Sequence, residues 1–320
     1  MMENILKVKN LHTYFDLENS LVKAVEGVSF NLTKGEVLGL VGESGCGKSV
    51  TAYSIINLID KPGKIKKGKV IFDKKDLLKI SQKQLRKIRG KDISLIFQES
   101  HAALNPVYSV GFQIAETIKA HNKNIDQKDL KQMVEELLLK VGLSPNKKNS
   151  YPHNLSGGEA QRAMIAQSLS CNPKILIADE PTTALDVTIQ AKIIELFKNL
   201  QKEENFSLIF ISHDLVLCSQ IADRIAVMYA GQIVELASLD KIMKEPLHPY
   251  TQALFASLPE KGKRKEKLAA IEGDVPDADK KPKGCFFNSR CKIKENSCLS
   301  NRPELEEVKE GHWARCIRLK

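Results

Sequence analysis

Short apolar runs bounded by charged or turn-forming residues recur along the chain. They alternate with longer stretches whose apolar positions fall three or four residues apart. KAVEGVSFNL (23–32), EVLGLVG (36–42), ISLIF (93–97), KILIADE (174–180), SLIFIS (207–212) and RIAVMYAGQIVE (224–235) each read as a strand. DLKQMVEELLLKVGL carries Met133, Leu137, Leu138 and Val141 at helical spacing, with Gly142 as a stop signal. AETIKAHNK, EAQRAMIAQSLS and IQAKIIELFKNLQ read as further helices, and another opens at Lys48. Alternating strands and helices predict an α/β sheet, interrupted over about residues 98–169 by a mostly helical insert.

None of the apolar runs approaches the eighteen or more residues of a membrane-spanning helix. MMENILKVKN lacks the apolar core of a signal peptide, so the expected compartment is the cytoplasm, where thiols stay reduced. At 320 residues there is ample length for a large core. The formal charge is +10, and residues 260–320 hold 16 Lys and Arg against 11 Asp and Glu. Half the excess therefore lies in the last fifth of the chain. No aromatics interleave with the basic residues as a single-strand stacking platform requires, and a solubilising basic surface accounts for the charge. EKGKRKEKL reads as a charged linker and PDADKKPKG as irregular, which divides the chain into 1–258 and 259–320. No repeat of 20–50 residues is present.

GESGCGKS, Gly42 to Ser49, follows a strand and opens a helix. This is the setting in which glycines let backbone N–H groups wrap a phosphate. Lys48 is placed to reach the β- and γ-phosphates of a nucleotide, and the Ser49 hydroxyl to bind Mg²⁺; Ser44, Gly45, Cys46, Gly47 and Val50 complete the contact set. KILIADE ends an apolar strand in Asp179, a second Mg²⁺ contact, followed by Glu180, a candidate general base for the attacking water. LSGGE, Leu155 to Glu159, is locally a capping box between Ser156 and Glu159. Gly157 and Gly158 in its first turn also make an open anion site.

The order of phosphate loop, LSGGE, Asp-Glu strand and a strand ending at His213 resembles the ATP-binding cassette (ABC) family over roughly residues 5–240. The resemblance implies a RecA-like core with an N-terminal antiparallel β-subdomain and a helical subdomain. It implies head-to-tail pairing in which the LSGGE of one cassette meets the γ-phosphate held by the other. It further implies that Gln98 senses Mg²⁺ or water and touches the membrane subunits, that Asp186 forms the D-loop, and that His213 holds the γ-phosphate and lytic water. Phe15, with Tyr14 as alternate, matches the aromatic that stacks on adenine. Glu159 stands where the family usually has Gln. A negative charge there opposes a phosphate, while the helix dipole favours it. LSGGEAQR also looks like the signature of the zinc-binding DNA repair ATPases of the UvrA type, a second reading. FQESHAALNPVYSVGFQIAE, PTTALDVTIQAKII and EPLHPYTQALFASLP resemble segments of oligopeptide and dipeptide importer ATPases. That branch implies ATP hydrolysis driving peptide uptake. The implied partners are a second ATPase subunit (a heterodimer), two integral-membrane permeases and, indirectly, an extracytoplasmic peptide-binding protein, with no nucleic acid. The implied place is the cytoplasmic face of a bacterial membrane, as a peripheral subunit. Nickel chelates or other small solutes are compatible cargoes.

Cys285, Cys291, Cys298 and Cys316 are spaced more widely than zinc modules usually are, and match no ferredoxin pattern. Four thiolates suit a zinc ion or an iron–sulfur cluster, and the resemblance of this tail to importer ATPases of the D type implies [4Fe–4S]. The expected fold is thus an ABC-type α/β P-loop ATPase with a small Cys-rich C-terminal extension. His312 is an incidental neighbour or a substitute ligand. Cys46, Cys171 and Cys218 read as buried or incidental thiols, and the place of Cys46 inside the phosphate loop adds an expected sensitivity of the ATPase to alkylation.

Overall fold

The computed structural model describes residues 3–18, 20–98, 103–257 and 271–319. The chain divides into two compact units, one of Met1–Asn4, Leu32–Val37 and Lys79–Ile211, the other of Ile5–Asn31, Leu38–Leu78 and Ser212–Lys320. The charged stretch EKGKRKEKL lies outside the described residues.

In the first unit, strands β6 (Ile93–Ile96), β7 (Ile175–Asp179) and β8 (Ser207–Ser212) pair in parallel, β6 with β7 and β7 with β8. All five residues of β7 and all six of β8 are buried. This is the unbroken apolar signature of strands covered on both faces. Helices α2 (Gln82–Ile88), α3 (Val110–His121), α4 (Gln127–Lys140), α5 (Gly157–Leu169) and α6 (Val187–Glu204) belong to the same unit. Each opens on a side-chain cap: Ser81, Ser109, Asp126, Ser156 and Asp186 accept from a backbone N–H in the helix's first turn.

In the second unit, among the described residues, β2 (Ser20–Thr33), β1 (Asn4–Leu17), β4 (Gly63–Phe72) and β5 (Lys75–Asp76) form a sheet in that order. β1 and β4 escape a period-two reading for identifiable reasons. The β1–β4 register shifts between Lys9 and Thr13, with Asn10 at φ 47°, so the buried series jumps from Leu6 and Val8 to Leu11 and Thr13. In β4 the strand is dominated by lysine, and only Gly63, Val70 and Phe72 are buried. RIAVMYAGQIVE is not one strand but two: β9 (Arg224–Tyr229) and β10 (Gln232–Ser238) pair antiparallel. Ala230 and Gly231, at φ 45° and 86°, make the tight turn between them.

β3 (Val37–Val41) pairs in parallel with β9. On the other edge of β9, β10 is followed by β12 (His312–Ala314) and β11 (Glu306–Lys309), both antiparallel. The end of the chain is thereby stitched into this sheet. Short helices α1 (Lys48–Ile55), α7 (Leu215–Ser219), α8 (Leu239–Lys244), α9 (Pro249–Ala256) and α10 (Ser297–Ser300) complete the unit. EPLHPYTQAL is the entry to α9, with Pro249 in its first turn and His248 as cap.

A fully buried carboxylate, Glu235 of β10, organises this junction. It accepts from the N–H groups of Leu247 and His248 at 2.8 and 2.9 Å, and from His312 Nε2 at 2.7 Å. Removing a shared acceptor strands buried donors, each costing about 1–3 kcal/mol. Glu235→Ala is therefore expected to destabilise the protein by about 3 kcal/mol or more, and Glu235→Gln, which keeps one acceptor oxygen, by less. An unchanged urea midpoint in Glu235→Ala would remove this carboxylate from its organising role.

Candidate nucleotide site and four-cysteine lobe

In the second unit the chain leaves β3 at Gly42 and enters α1 at Lys48. The glycines between are there for space. A Cβ on Gly42 would lie 2.1 Å from the Met228 carbonyl, and one on Gly47, at φ 99°, 2.4 Å from the Ala24 carbonyl. α1 has no acidic residue in its first turn and no side-chain cap, since Gly47 precedes it, so its positive end suits an anion. Lys48 is 4% exposed, and its ammonium donates to the carbonyls of Gly42 at 2.8 Å and Glu43 at 3.1 Å. Ser44 and Gly45 are exposed at the loop tip, while Ser49 and Val50 are half-buried.

Cys46 is one of the thiols expected to be buried. It is 1% exposed, and burial pushes its thiol up to about 11 despite the opposing charge of Lys48. Thiolate is the nucleophile, so burial opposes the alkylation sensitivity that its place in the loop suggests. His213 is exposed, and the next residue, Asp214, caps α7. Of the two aromatic candidates for adenine, Tyr14 is occupied within the sheet: its hydroxyl is 3.0 Å from His12 Nδ1, and the Lys23 ammonium stands 5.9 Å above its ring. Phe15 is half-buried, its ring edge over Gly63.

The first unit carries the carboxylates. Asp179, at the end of β7, is fully buried, and Glu180 follows with φ 46° and 9% exposure. The Glu180 N–H donates to the Ile211 carbonyl at 3.0 Å. Its Oε2 accepts from Thr183 Oγ1 at 2.9 Å and faces Gln98 Nε2 at 3.4 Å. Gln98 is thus brought to Glu180. Thr183, which sequence reasoning passed over, orients the same carboxylate.

The signature loop is a complete capping box. Glu159 N–H donates to Ser156 Oγ at 3.3 Å, and Ser156 N–H to Glu159 Oε2 at 3.0 Å. Lys147 sits 2.8 Å from Glu159 Oε1. With the hydrogen bond from Lys147 foremost and the Ser156 amide next, the Glu159 carboxyl is held below its ordinary range. The charge that stands in place of an amide is therefore locally paired. A Cβ on Gly157 would meet Leu185 at 3.3 Å, and one on Gly158 would meet Ile189 at 2.9 Å. The two glycines thus let α5 begin against the turn capped by Asp186.

Cys285, Cys291, Cys298 and Cys316 line one small cavity together with His248 and Phe287. No disulfide joins them. Burial pushes the Cys285 thiol up to about 11, with the other three adding to the rise, and Cys291 and Cys316 are also raised, burial first. Four ionised thiolates here would need positive charge at their centre. Among the described residues no group of three or more His, Cys, Asp or Glu is arranged to hold a metal ion. The donor set fits a shared centre in chemistry and convergence but does not form a preassembled single-ion site. His312 faces Glu235 and does not line the cavity.

The ABC transporter family model matches residues 25–183, and the model of the oligopeptide/dipeptide transporter C-terminal region matches residues 234–298. The oligopeptide transport ATP-binding protein AppD of Bacillus subtilis is 48% identical over 99% of this chain and 97% of its own length. The dipeptide transport ATP-binding protein DppD of Escherichia coli is 45% identical over 98% of this chain and 96% of its own. This chain belongs to the ATP-binding proteins of the oligopeptide/dipeptide ABC transporter family. Among solved structures, the dimeric cassette MJ0796 in a post-hydrolysis state with ADP and Pi aligns at a TM-score of 0.67 and 28% identity. That alignment covers 73% of this chain and 98% of MJ0796. The chain therefore has the ABC cassette fold, with a C-terminal region of the peptide-transporter type.

Buried and largely neutral, the Cys46 thiol is expected to resist N-ethylmaleimide at pH 7, where about one in ten thousand such groups is ionised. Labelling should rise as pH climbs toward 11, because the thiolate fraction does. Peptide mapping by mass spectrometry checks this, and rapid stoichiometric labelling at pH 7 would contradict the burial.

Proposed function

We propose that this protein is the ATP-hydrolysing subunit of an importer for dipeptides or oligopeptides, acting through integral-membrane permeases. The observation that carries the reading is similarity along almost the whole chain to transport ATP-binding proteins, in the cassette and the C-terminal region alike. Among the described residues no helix is long and apolar enough to cross a membrane, so in this reading the permeases provide the membrane attachment, at the cytoplasmic face. A second, different ATPase subunit completes the cassette pair, and an extracytoplasmic binding protein delivers the peptide.

In this reading ATP lies on the phosphate loop from Gly42 to Ser49, with Lys48 against its terminal phosphates and Phe15 against adenine. Ser49, Asp179 and Gln98 are the residues that would hold Mg²⁺. Glu180 takes a proton from the attacking water as its O–P bond to the γ-phosphorus forms and the bond from that phosphorus to the bridging oxygen of ADP breaks, releasing ADP and phosphate. His213 positions that water. Ser156 to Glu159 and Asp186 face the partner cassette's nucleotide. The orientation of Glu180 by Thr183 and its proximity to Gln98 support the base role. Cassette closure on ATP and reopening after hydrolysis supply the conformational step.

The four lobe cysteines would hold a [4Fe–4S] cluster, which brings its own iron and sulfide to a cavity lacking a single-ion geometry. When bound, it supplies the positive charge that keeps the four thiols ionised.

Glu180→Gln should keep ATP affinity within about twofold and lower turnover by about a hundredfold or more, measured by nucleotide binding and phosphate release. Near-normal hydrolysis would remove Glu180 from the base role. Lys48→Ala should lose nucleotide affinity, and unchanged affinity would undermine the phosphate-loop assignment. Protein purified without oxygen should contain about four iron and four sulfide per chain, with a brown colour lost in Cys291→Ser. One zinc and no colour would replace the cluster.

A further inference from the structure

The segment between the first two lobe cysteines returns to the phosphate loop. Arg290, adjacent to Cys291, has a side chain only 4% exposed, and its NH1 lies 3.0 Å from each carboxylate oxygen of Glu43. The same nitrogen is 3.4 Å from the Tyr229 hydroxyl. Nε and NH2 donate to the carbonyls of Glu272 and Ile271 at 3.1 and 3.2 Å. Backbone on one side thus aims the guanidinium at the loop on the other.

Glu43 is the second residue of GESGCGKS, and all its polar groups are engaged. Its N–H donates to the Tyr250 hydroxyl at 3.0 Å. Its carbonyl accepts from Lys48 Nζ at 3.1 Å and from the Cys46 N–H at 3.3 Å. Phe287, from the same intercysteine segment, packs against Tyr229 and Tyr250 with ring centroids 5.2 and 5.4 Å away, and lines the cysteine cavity. A carboxylate within a phosphate-binding loop opposes an anionic ligand unless a cation compensates it. Arg290 is that cation, and it also fixes the residue on which the Lys48 ammonium rests.

We propose that Arg290 is a positioning residue for the nucleotide: it neutralises and holds Glu43, so that the C-terminal cysteine lobe sets the affinity of the phosphate loop for ATP. The proposal rests on the reading that this loop binds ATP.

The test uses the full chain, a fluorescent ATP analogue and steady-state ATPase kinetics, with thermal melting to follow folding. Losing a charge-assisted pair buried on its arginine side should weaken binding in Arg290→Met by about tenfold, with the loss in KM rather than kcat. Arg290→Lys should recover part of it, keeping the charge without the fork. In the Glu43→Gln/Arg290→Met double variant the loss should be smaller than the sum of the single losses, because no carboxylate is left to neutralise. Tyr250→Phe, which deletes only the hydroxyl facing the Glu43 N–H, should weaken binding by a smaller factor. Unchanged affinity in Arg290→Met overturns the proposal. So does additive loss, or loss that tracks falling melting temperature and is not recovered by lysine. A wild-type protein that fails to bind the analogue fails the ATP reading itself and takes the proposal with it, whereas wild-type binding abolished by Lys48→Ala isolates the result to Arg290.

Discussion

The phosphate loop is shaped by backbone packed against backbone. Gly42 lies so close to the Met228 carbonyl of β9, and Gly47 to the Ala24 carbonyl of β2, that neither position admits a side chain. Gly231, in the β9–β10 turn, also faces the Ala24 carbonyl, with 2.8 Å left for a Cβ. Hydrogen bonds join β2, the β9–β10 turn and the phosphate loop: Glu26 N–H to the Gly231 carbonyl at 2.8 Å, and Gly231 N–H to the Cys46 carbonyl at 2.9 Å. A loop fixed this way keeps its N–H groups directed without reorganisation when an anion arrives, which is the condition for electrostatic preorganisation. The hairpin turn at Ala230 and Gly231 is accordingly part of the site's support.

The C-terminal region serves that same support with buried charge. Glu26, 6% exposed, is flanked by Arg302 at 2.6 Å and Lys281 at 3.6 Å. Burial lowers Lys281 to about 8, with Glu26 opposing the fall. Glu235 and Glu43 are held by donors from the same region, His312 and Arg290. Glu26, Glu43 and Glu235 thus all have partners beyond Lys280. Leaving Glu26 or Glu235, both buried, without its partner costs more than the pair itself contributes. The net charge of the tail is therefore only in part a solvated basic surface.

The motifs were legible where local backbone requirements dictate residue type. The Gly-rich loop, the Ser156–Glu159 box and the apolar strand ending in Asp179 need particular residues at short spacing, and the folded chain presents each in its strand–loop–helix setting. β1 and β4 were illegible because a bulge shifts the period of one and lysines dilute the other. The β9–β10 hairpin was hidden by an Ala-Gly turn inside a continuous apolar run. Cys46 was expected to be buried and is, but how far burial raises its thiol leaves no mark in the loop motif. The pairing of Arg290 with Glu43 spans 247 positions of sequence, and no periodicity connects such residues.

Glu159 shows how a departure from a family pattern can be absorbed by its surroundings. A carboxylate at the third helical position satisfies the Ser156 N–H as an amide oxygen would, and gains from the helix dipole. Its second oxygen faces Lys147, which lies in the turn before the signature loop. Two independent donors, one of them charged, draw the carboxylate's field inward along the helix start. The glycine N–H groups of the first turn consequently lie beside an ion pair of no net charge. Glu at this position thus leaves the positive end of the helix to its backbone, the one part of the motif that no side-chain replacement removes.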